Sequence, residues 1–304
     1  MDGDDPRSRL ENPFPGSLFA GDFLCEAIGQ LNEWREFDNS AIDALENTLR
    51  EFFGGFPLGG SPNESQTEDD VIWPVLEYLG WKSSLRQQNL SERGREDVPD
   101  GLMFKSEEAK AHANGFPEWE RYEFGLAMVE SKRWMRPLDR RSGSRGEETA
   151  PSTQMLRYLR RVDDRTTGKL RWGILTNGAQ WRLYFAGARS LSEQFFEIDL
   201  ARVLNLPGYN EGLFALPESV RHHWLKVFAL MFRREAFLPT GEHTRTFHER
   251  SMEEGRRYEE RVANSLYEQI FEDELKRDRK KEEEPIFRSL LAAIAAAVPG
   301  APLP

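Results

Sequence analysis

Residues 122–134 read YEFGLAMVESKRW. Within them, residues 124–129 (FGLAMV) are apolar on both parities of a two-residue repeat, the pattern of a strand covered on both faces and so central in its sheet. Polar residues begin only at Glu130, and strand alternation sets Glu130 and Lys132 on one side of the strand's end. A carboxylate and an ammonium leaving a buried strand together must be paired, solvated in a cleft or bound to a metal, because an isolated buried charge is very costly. As a lone triplet, Glu130-Ser131-Lys132 would read as an ordinary ion pair.

Working outward, the segment expected to be a strand spans residues 122–134. Shorter strands are expected at 84–88 and 98–104, the latter carrying Pro99-Asp100 (VPDGLMF). A helix is expected from Pro151, whose fixed φ suits a first turn, through Met155, Leu156, Leu159 and Val162 to an exit at Gly168. Asn177-Gly178 is the dipeptide for a tight hairpin between strands at 172–176 and 179–185, with a further strand at 194–198. Before the first strand, a helix over 67–80 has Val71, Val75, Leu76 and Leu79 on one face. Ser65 and Glu68 form a plausible capping box for it.

The flanks are helical. Residues 17–54 carry apolar faces through Leu18, Phe19, Phe23, Leu24, Ile28 and Leu31 and again from 41 to 53, and the Gly- and Pro-rich stretch 54–65 closes them off. After Pro207, helices are expected at 220–237, along the charged run 248–284 with an apolar stripe at Tyr258, Val262, Leu266 and Ile270, and at 285–298. The fold class expected is α/β: a central mixed β-sheet flanked by helices, with helical N- and C-terminal extensions. Its domains would be 1–60, 61–207 and 208–304.

Composition narrows the function. The formal net charge of −11 excludes nucleic-acid binding over the whole surface, since phosphate neutralisation needs clustered Lys and Arg. One stretch offers a local exception: residues 132–145 carry Lys132, Arg133, Arg136, Arg140, Arg141 and Arg145 against the single Asp139. By itself it is equally a solvated basic loop. No apolar stretch reaches the length of a membrane span, residues 1–9 lack the pattern of a secretory signal, and Cys25 is the single cysteine, so a cytoplasmic location is expected. His222 and His223 have no carboxylate or cysteine at metal spacing and read as surface residues.

Asp100, at the start of a neighbouring strand, can reach the point where Glu130 and Lys132 emerge. Two carboxylates and a carbonyl oxygen make a hard, oxygen-rich site that suits Mg²⁺. Such a site fits phosphodiester hydrolysis, with Lys132 positioning or deprotonating the nucleophile and offsetting developing charge. On the following helix, Gln154 and Tyr158 are four residues apart and share a side.

In this order, Pro99-Asp100, Glu130-x-Lys132 and Gln154-x-x-x-Tyr158 (QMLRY) resemble the signature of the PD-(D/E)xK nuclease superfamily, with the QxxxY motif found in type I restriction subunits and fused restriction-modification enzymes. The flanking stretches 68–81 (EDDVIWPVLEYLGW) and 171–184 (RWGILTNGAQWRLY) are similar to segments around that nuclease core, so the resemblance spans about residues 60–200. It implies a restriction-endonuclease-like core and a Mg²⁺-dependent DNA endonuclease, with Mn²⁺ able to substitute, acting in restriction-modification or antiphage defence. Catalytic roles would fall on Asp100, Glu130, Lys132, Gln154 and Tyr158.

The metal ligands implied are Asp100, Glu130 and one acid from the preceding helix, for which Glu68 matches best and Asp69 and Asp70 compete. Arg133, Arg136, Arg140, Arg141 and Arg145 would contact double-stranded DNA. A methyltransferase or helicase domain or subunit would be the partner, since neither motif set is found here, and a dimer on DNA would cut both strands. The chain would then be either a fragment of a larger enzyme or a separate nuclease subunit. The competing reading is a non-cleaving DNA-binding or assembly module that retains the nuclease fold.

Overall fold

The computed structural model of the chain describes residues 12–143, 148–209, 215–239 and 244–278, with positions 212, 241 and 293. Two compact units are formed, Met1–Arg256 and Arg257–Pro304.

The first unit is α/β. Its mixed sheet has six strands in the order β1-β2-β3-β4-β5-β6, namely β1 (Ser84–Arg86), β2 (Gly101–Met103), β3 (Ala127–Ser131), β4 (Trp172–Thr176), β5 (Gln180–Phe185) and β6 (Phe195–Asp199). All neighbours pair antiparallel except β3 and β4, which are parallel, with Glu130 beside Leu175.

The helices of this unit begin with the short α1 (Gly21–Cys25) and α2 (Asn32–Glu36), followed by α3 (Asn39–Gly54), capped by the Asp38 carboxylate on the Ala41 amide. A continuous helix through 17–31 does not form: a 3₁₀ turn at Ala27–Gln30 and the extended Leu31 interrupt it. The break leaves the Leu24 carbonyl to His223 Nε2 at 2.9 Å. His223 is therefore no surface residue: it packs against Trp34 and Trp224, and its burial pulls its pKa down to about 4.

Next come α4 (Glu64–Thr67) and α5 (Trp73–Tyr78), joined by one π turn over Glu68–Ile72. Pro74 explains the turn, because it lacks an N–H and its ring crowds the carbonyl four residues back. The helix widens one residue earlier, with the Trp73 amide reaching Glu68 O. The capping box is Asn63 with Gln66, not Ser65 with Glu68. Glu68 is thereby left to do something else.

Helix α6 (Glu107–Ala113) follows β2, and α7 (Pro151–Thr166) makes the crossover that the parallel β3–β4 pair requires. Helix α8 (Leu200–Val203) follows β6, and α9 (Glu218–Phe232) is buried along most of its length. Helix α10 (Phe247–Asp278) starts in this unit and runs into the second. In the second unit, Leu266 of the expected apolar stripe is exposed and Tyr267 stacks on Phe271. The helix expected at 285–298 lies outside the described residues. Among the described residues, no helix is long and apolar enough to cross a membrane.

The sheet is covered on both sides, and its alternation sorts the core. Ala127, Val129, Ile174, Trp181 and Leu183 join α3, α5 and α9 in one apolar cluster, while Leu102, Met128, Leu175 and Tyr184 join α7 in the other. Residues 17–54 and 220–237 thus share a core with the sheet. The expected strand at 122–134 shrinks to Ala127–Ser131. Pro117 starts a 3₁₀ turn over Glu118–Phe124, and Gly125 is wedged between Leu102 and Leu170. Past Ser131 the chain turns off, because the Trp134 amide is taken by Thr67 Oγ1 and Met135 adopts φ +60. The hairpin forms one residue later than expected, with Asn177 facing Gln180 and Gly178 first of its two central residues, where a II′ turn places glycine.

Candidate active site

The same alternation positions the candidate site. Glu130 follows Met128 toward α7, and Ser131 follows Val129 toward α5. In β2, Leu102 faces the α7 side and Gly101 the α5 side, where a Cβ would meet Trp73 Cη2 at 2.5 Å. Extending the Gly101–Val129 register by one step brings Asp100 opposite Glu130 on the α7 side.

Glu130 is 1% exposed and Lys132 4%. Lys132 Nζ donates to Glu130 Oε1 at 2.5 Å, and the Lys132 amide is fixed by Thr176 O. Glu130 Oε2 is buried without a hydrogen-bond partner. Burial first, and then the like charge of Asp100, push the Glu130 carboxyl up to about 8, against the pull of Lys132. Burial works to deprotonate Lys132, but Glu130, Asp100 and Glu64 outweigh it and raise its pKa. Both shifts favour keeping protons in the pair.

Asp100 is anchored across the strand gap. Its Oδ2 accepts from the Ser131 amide at 2.8 Å and sits 2.9 Å from Ser131 Oγ, which also bonds Glu68 Oε1. A serine hydroxyl has one proton to give, so two carboxylates converge on a single donor. Burial, with the Asp100 charge adding to it, raises the Glu68 pKa even though Ser131 works against the shift. Arg86 lies 3.6 Å from Glu68 Oε2 and stacks over the Trp73 ring at 3.3 Å. Asp69 and Asp70 are exposed, so Glu68 is the acid of this helix that turns inward.

The comparisons add no relative. No family model, curated protein or solved structure matches the chain.

Gln154 and Tyr158 are brought together on α7, with Gln154 Nε2 donating to Tyr158 Oη at 2.8 Å. Burial raises the Tyr158 pKa and the Glu130 charge adds to it, and the ring packs in the same cluster as Met128 of β3. Tyr122, not singled out in the sequence, donates to Gln88 O at 2.6 Å and also feels Glu130 and Asp100. Ser131 and Arg86 were missed as well. The signal for Ser131 is its place between the two charged letters of the triplet.

The basic stretch after Lys132 is divided by the fold. Arg133, Arg140 and Arg141 are exposed, while Arg136 is 5% exposed and donates to Thr149 O at 3.3 Å inside the loop. Asn177 holds the Arg136 carbonyl, and Trp134 packs on Phe53 and Phe56. Of the arginines expected to contact DNA, Arg136 is thus buried, because its neighbours Trp134 and Leu138 are drawn into the cores. Arg145 lies outside the described residues. Asp139 is engaged too, forming two 2.6 Å bonds to the buried Arg182.

Among the described residues, no group of three or more His, Cys, Asp or Glu is assembled as a metal site. Fitness for a divalent cation therefore rests on the donors present. Asp100 and Glu68 meet at Ser131, and Glu130 brings a buried oxygen with nothing bonded to it. These are carboxylate oxygens, the hard donors that Mg²⁺ takes, and a cation among them would offset the burial and the Asp100 charge that raise Glu68 and Glu130. The residues fit.

Proposed function

We propose that this chain is a Mg²⁺-dependent DNA endonuclease of the PD-(D/E)xK class, with a restriction-endonuclease-like core and a role in restriction-modification or antiphage defence. The observation carrying the reading is the buried Glu130 carboxylate at the end of a central strand, closed on Lys132 through one oxygen and unbonded at the other, with Asp100 as its charged neighbour. A merely structural ion pair gains nothing from leaving one oxygen buried and unsatisfied.

Asp100, Glu130 and Glu68 would hold the cation, with Mn²⁺ able to replace it. When bound, it supplies Lewis acidity at a phosphoryl oxygen and an acidified water. Lys132 holds its proton at Nζ and offsets negative charge gathering on the phosphate. Ser131 keeps Asp100 and Glu68 turned toward each other, and the Gln154–Tyr158 pair stiffens the α7 wall beside Glu130. A methyltransferase or helicase partner would select the DNA, and two copies would cut both strands.

The test is nicking of supercoiled plasmid by the wild type, Asp100→Asn and Lys132→Met, each with Mg²⁺, Mn²⁺ or EDTA. Metal-dependent nicking by the wild type, reduced about 10²-fold or more in both variants, supports the reading. Intact plasmid with either metal, from folded wild-type protein, overturns it. The closed Lys132–Glu130 contact favours one other reading, a DNA-binding module that does not cut, and the same assay separates the two.

A further inference from the structure

We propose that the outer face of α7, centred on Arg157, Arg160 and Arg161, is a track for the sugar-phosphate backbone of duplex DNA; the choice of DNA rests on the nuclease reading above. An open surface groove here is lined by Thr153, Leu156, Arg157, Arg160, Arg161 and Asp164. In a chain with a net charge of −11, phosphate can be held only where guanidiniums are gathered. Three of the six lining residues carry one.

The arginines are also preset. Asp97, with a side chain 5% exposed, takes Arg157 at 3.0 Å through one oxygen and Arg161 through the other. The two arginine side chains remain 51% and 42% exposed. One buried carboxylate thus orients two forks outward and leaves a net positive charge at the surface. Arg161 is further tied to Ser91 Oγ. Arg160 is exposed, with no ion-pair partner among the described residues. Such planar five-donor forks match phosphate oxygens.

Placement joins this face to the candidate site. Arg157 lies over the Tyr158 ring, 5.4 Å from its centre, and Tyr158 is bonded to Gln154 and shares an apolar cluster with Met128, two residues before Glu130 on β3. A backbone lying along Arg160, Arg161 and Arg157 therefore leads to the end of β3. Exposed Asp164 bounds the track at the far end of the groove, since a carboxylate repels phosphate.

The test is fluorescence anisotropy of a labelled duplex titrated with the full chain in EDTA, where no cleavage occurs, over a range of salt. Arg160→Gln and Arg157→Gln are compared with wild type and with Arg35→Gln, on the α2–α9 side of the sheet. Arg160→Gln disturbs no ion pair, and in Arg157→Gln the Asp97 carboxylate keeps Arg161. Each groove variant is expected to weaken binding several-fold and to lower the slope of log affinity against log salt by about one, with Arg35→Gln unchanged. Unchanged affinity and slope in both groove variants, or a wild type that does not bind duplex, overturns the track. The nuclease reading fails separately: a chain that binds through this face but never nicks plasmid keeps the track and loses the enzyme, and nicking without the slope change does the reverse.

Discussion

Lys132 Nζ stands 2.5 Å from Glu130 Oε1 while the other oxygen of Glu130 is buried and unbonded. Burial dominates the raised pKa of Glu130, so the folded chain holds a proton there that the unfolded chain has lost. A raised folded value gives a contribution that is fully present below the unfolded pKa and is lost as pH climbs through the folded one. Wild-type stability is therefore expected to fall relative to Glu130→Gln between about 4.5 and about 8. Urea unfolding of both proteins across that window checks it, and parallel pH profiles would count against the assignment.

Ser131→Ala removes the hydroxyl on which Glu68 and Asp100 converge but spares the amide bond to Asp100. Loss of one donor to partly buried carboxylates costs about 1–3 kcal/mol. The more telling result is in metal binding. Without the hydroxyl, the upward shift in melting temperature produced by Mg²⁺ or Ca²⁺, measured without DNA, is expected to shrink. A full metal shift in a destabilised Ser131→Ala protein would reduce Ser131 to a packing role.

Gly101 has no room for a side chain, since a Cβ there would meet Trp73 Cη2 at 2.5 Å. The ring is buried against the sheet and carries Arg86 on its face, so it cannot swing away freely. Gly101→Ala is expected to cost about 1–3 kcal/mol by overpacking. Denaturant midpoints test the cost, and tryptophan fluorescence reports whether the ring has moved.

How far the sequence was legible depends on the range of the interaction. Glu130 and Lys132 could be paired from strand alternation, and Gln154 and Tyr158 from helical spacing, because both periods are local. Asp100 could be placed because it opens a strand that pairs in the next register. Ser131 could not be given its role, since its bonds reach 63 positions back to Glu68 and 31 back to Asp100. Nor could the π turn that frees Glu68 from capping be foreseen by a 3.6-residue pattern. Strand length was overread at 122–134, where apolar residues belong to a 3₁₀ turn whose Tyr122 is buried as deeply as the strand. The basic loop was overread for a related reason: Trp134 and Leu138 anchor it and carry Arg136 inward.

Asp97→Ala is expected to leave Arg157 and Arg161 without their shared carboxylate. Both arginine side chains are about half exposed, so water screens much of the loss, and the expected cost is about 1 kcal/mol. The larger effect is local, because the loop carrying Ser91 and Asp97 loses two of its ties to α7 and keeps the Ser91–Arg161 bond and the Glu92–Arg165 pair. Limited proteolysis is expected to cut the loop after the exposed Arg93 or Arg95 faster in the variant. Equal cutting rates would mean that the Leu90–Asp97 backbone bond and the Ser91–Arg161 bond suffice to hold the loop.

Divalent binding should be coupled to proton release. The carboxyl of Glu130 is raised to about 8 by burial and by Asp100, and Glu68 is raised by burial and by the same neighbour. A cation takes the ionised form, so protons held in the free protein must leave as it binds. Affinity for Mg²⁺ is then expected to increase as pH rises toward about 8, and to flatten above it once Glu130 is ionised in the free chain. Calorimetric titration in two buffers of different ionisation enthalpy gives the number of protons released, without DNA or turnover. Glu130→Gln should release fewer protons and bind more weakly. Binding of equal strength across the pH range, with no proton released, would show that the metal does not engage Glu130, and the acids at Ser131 would then have to hold it alone.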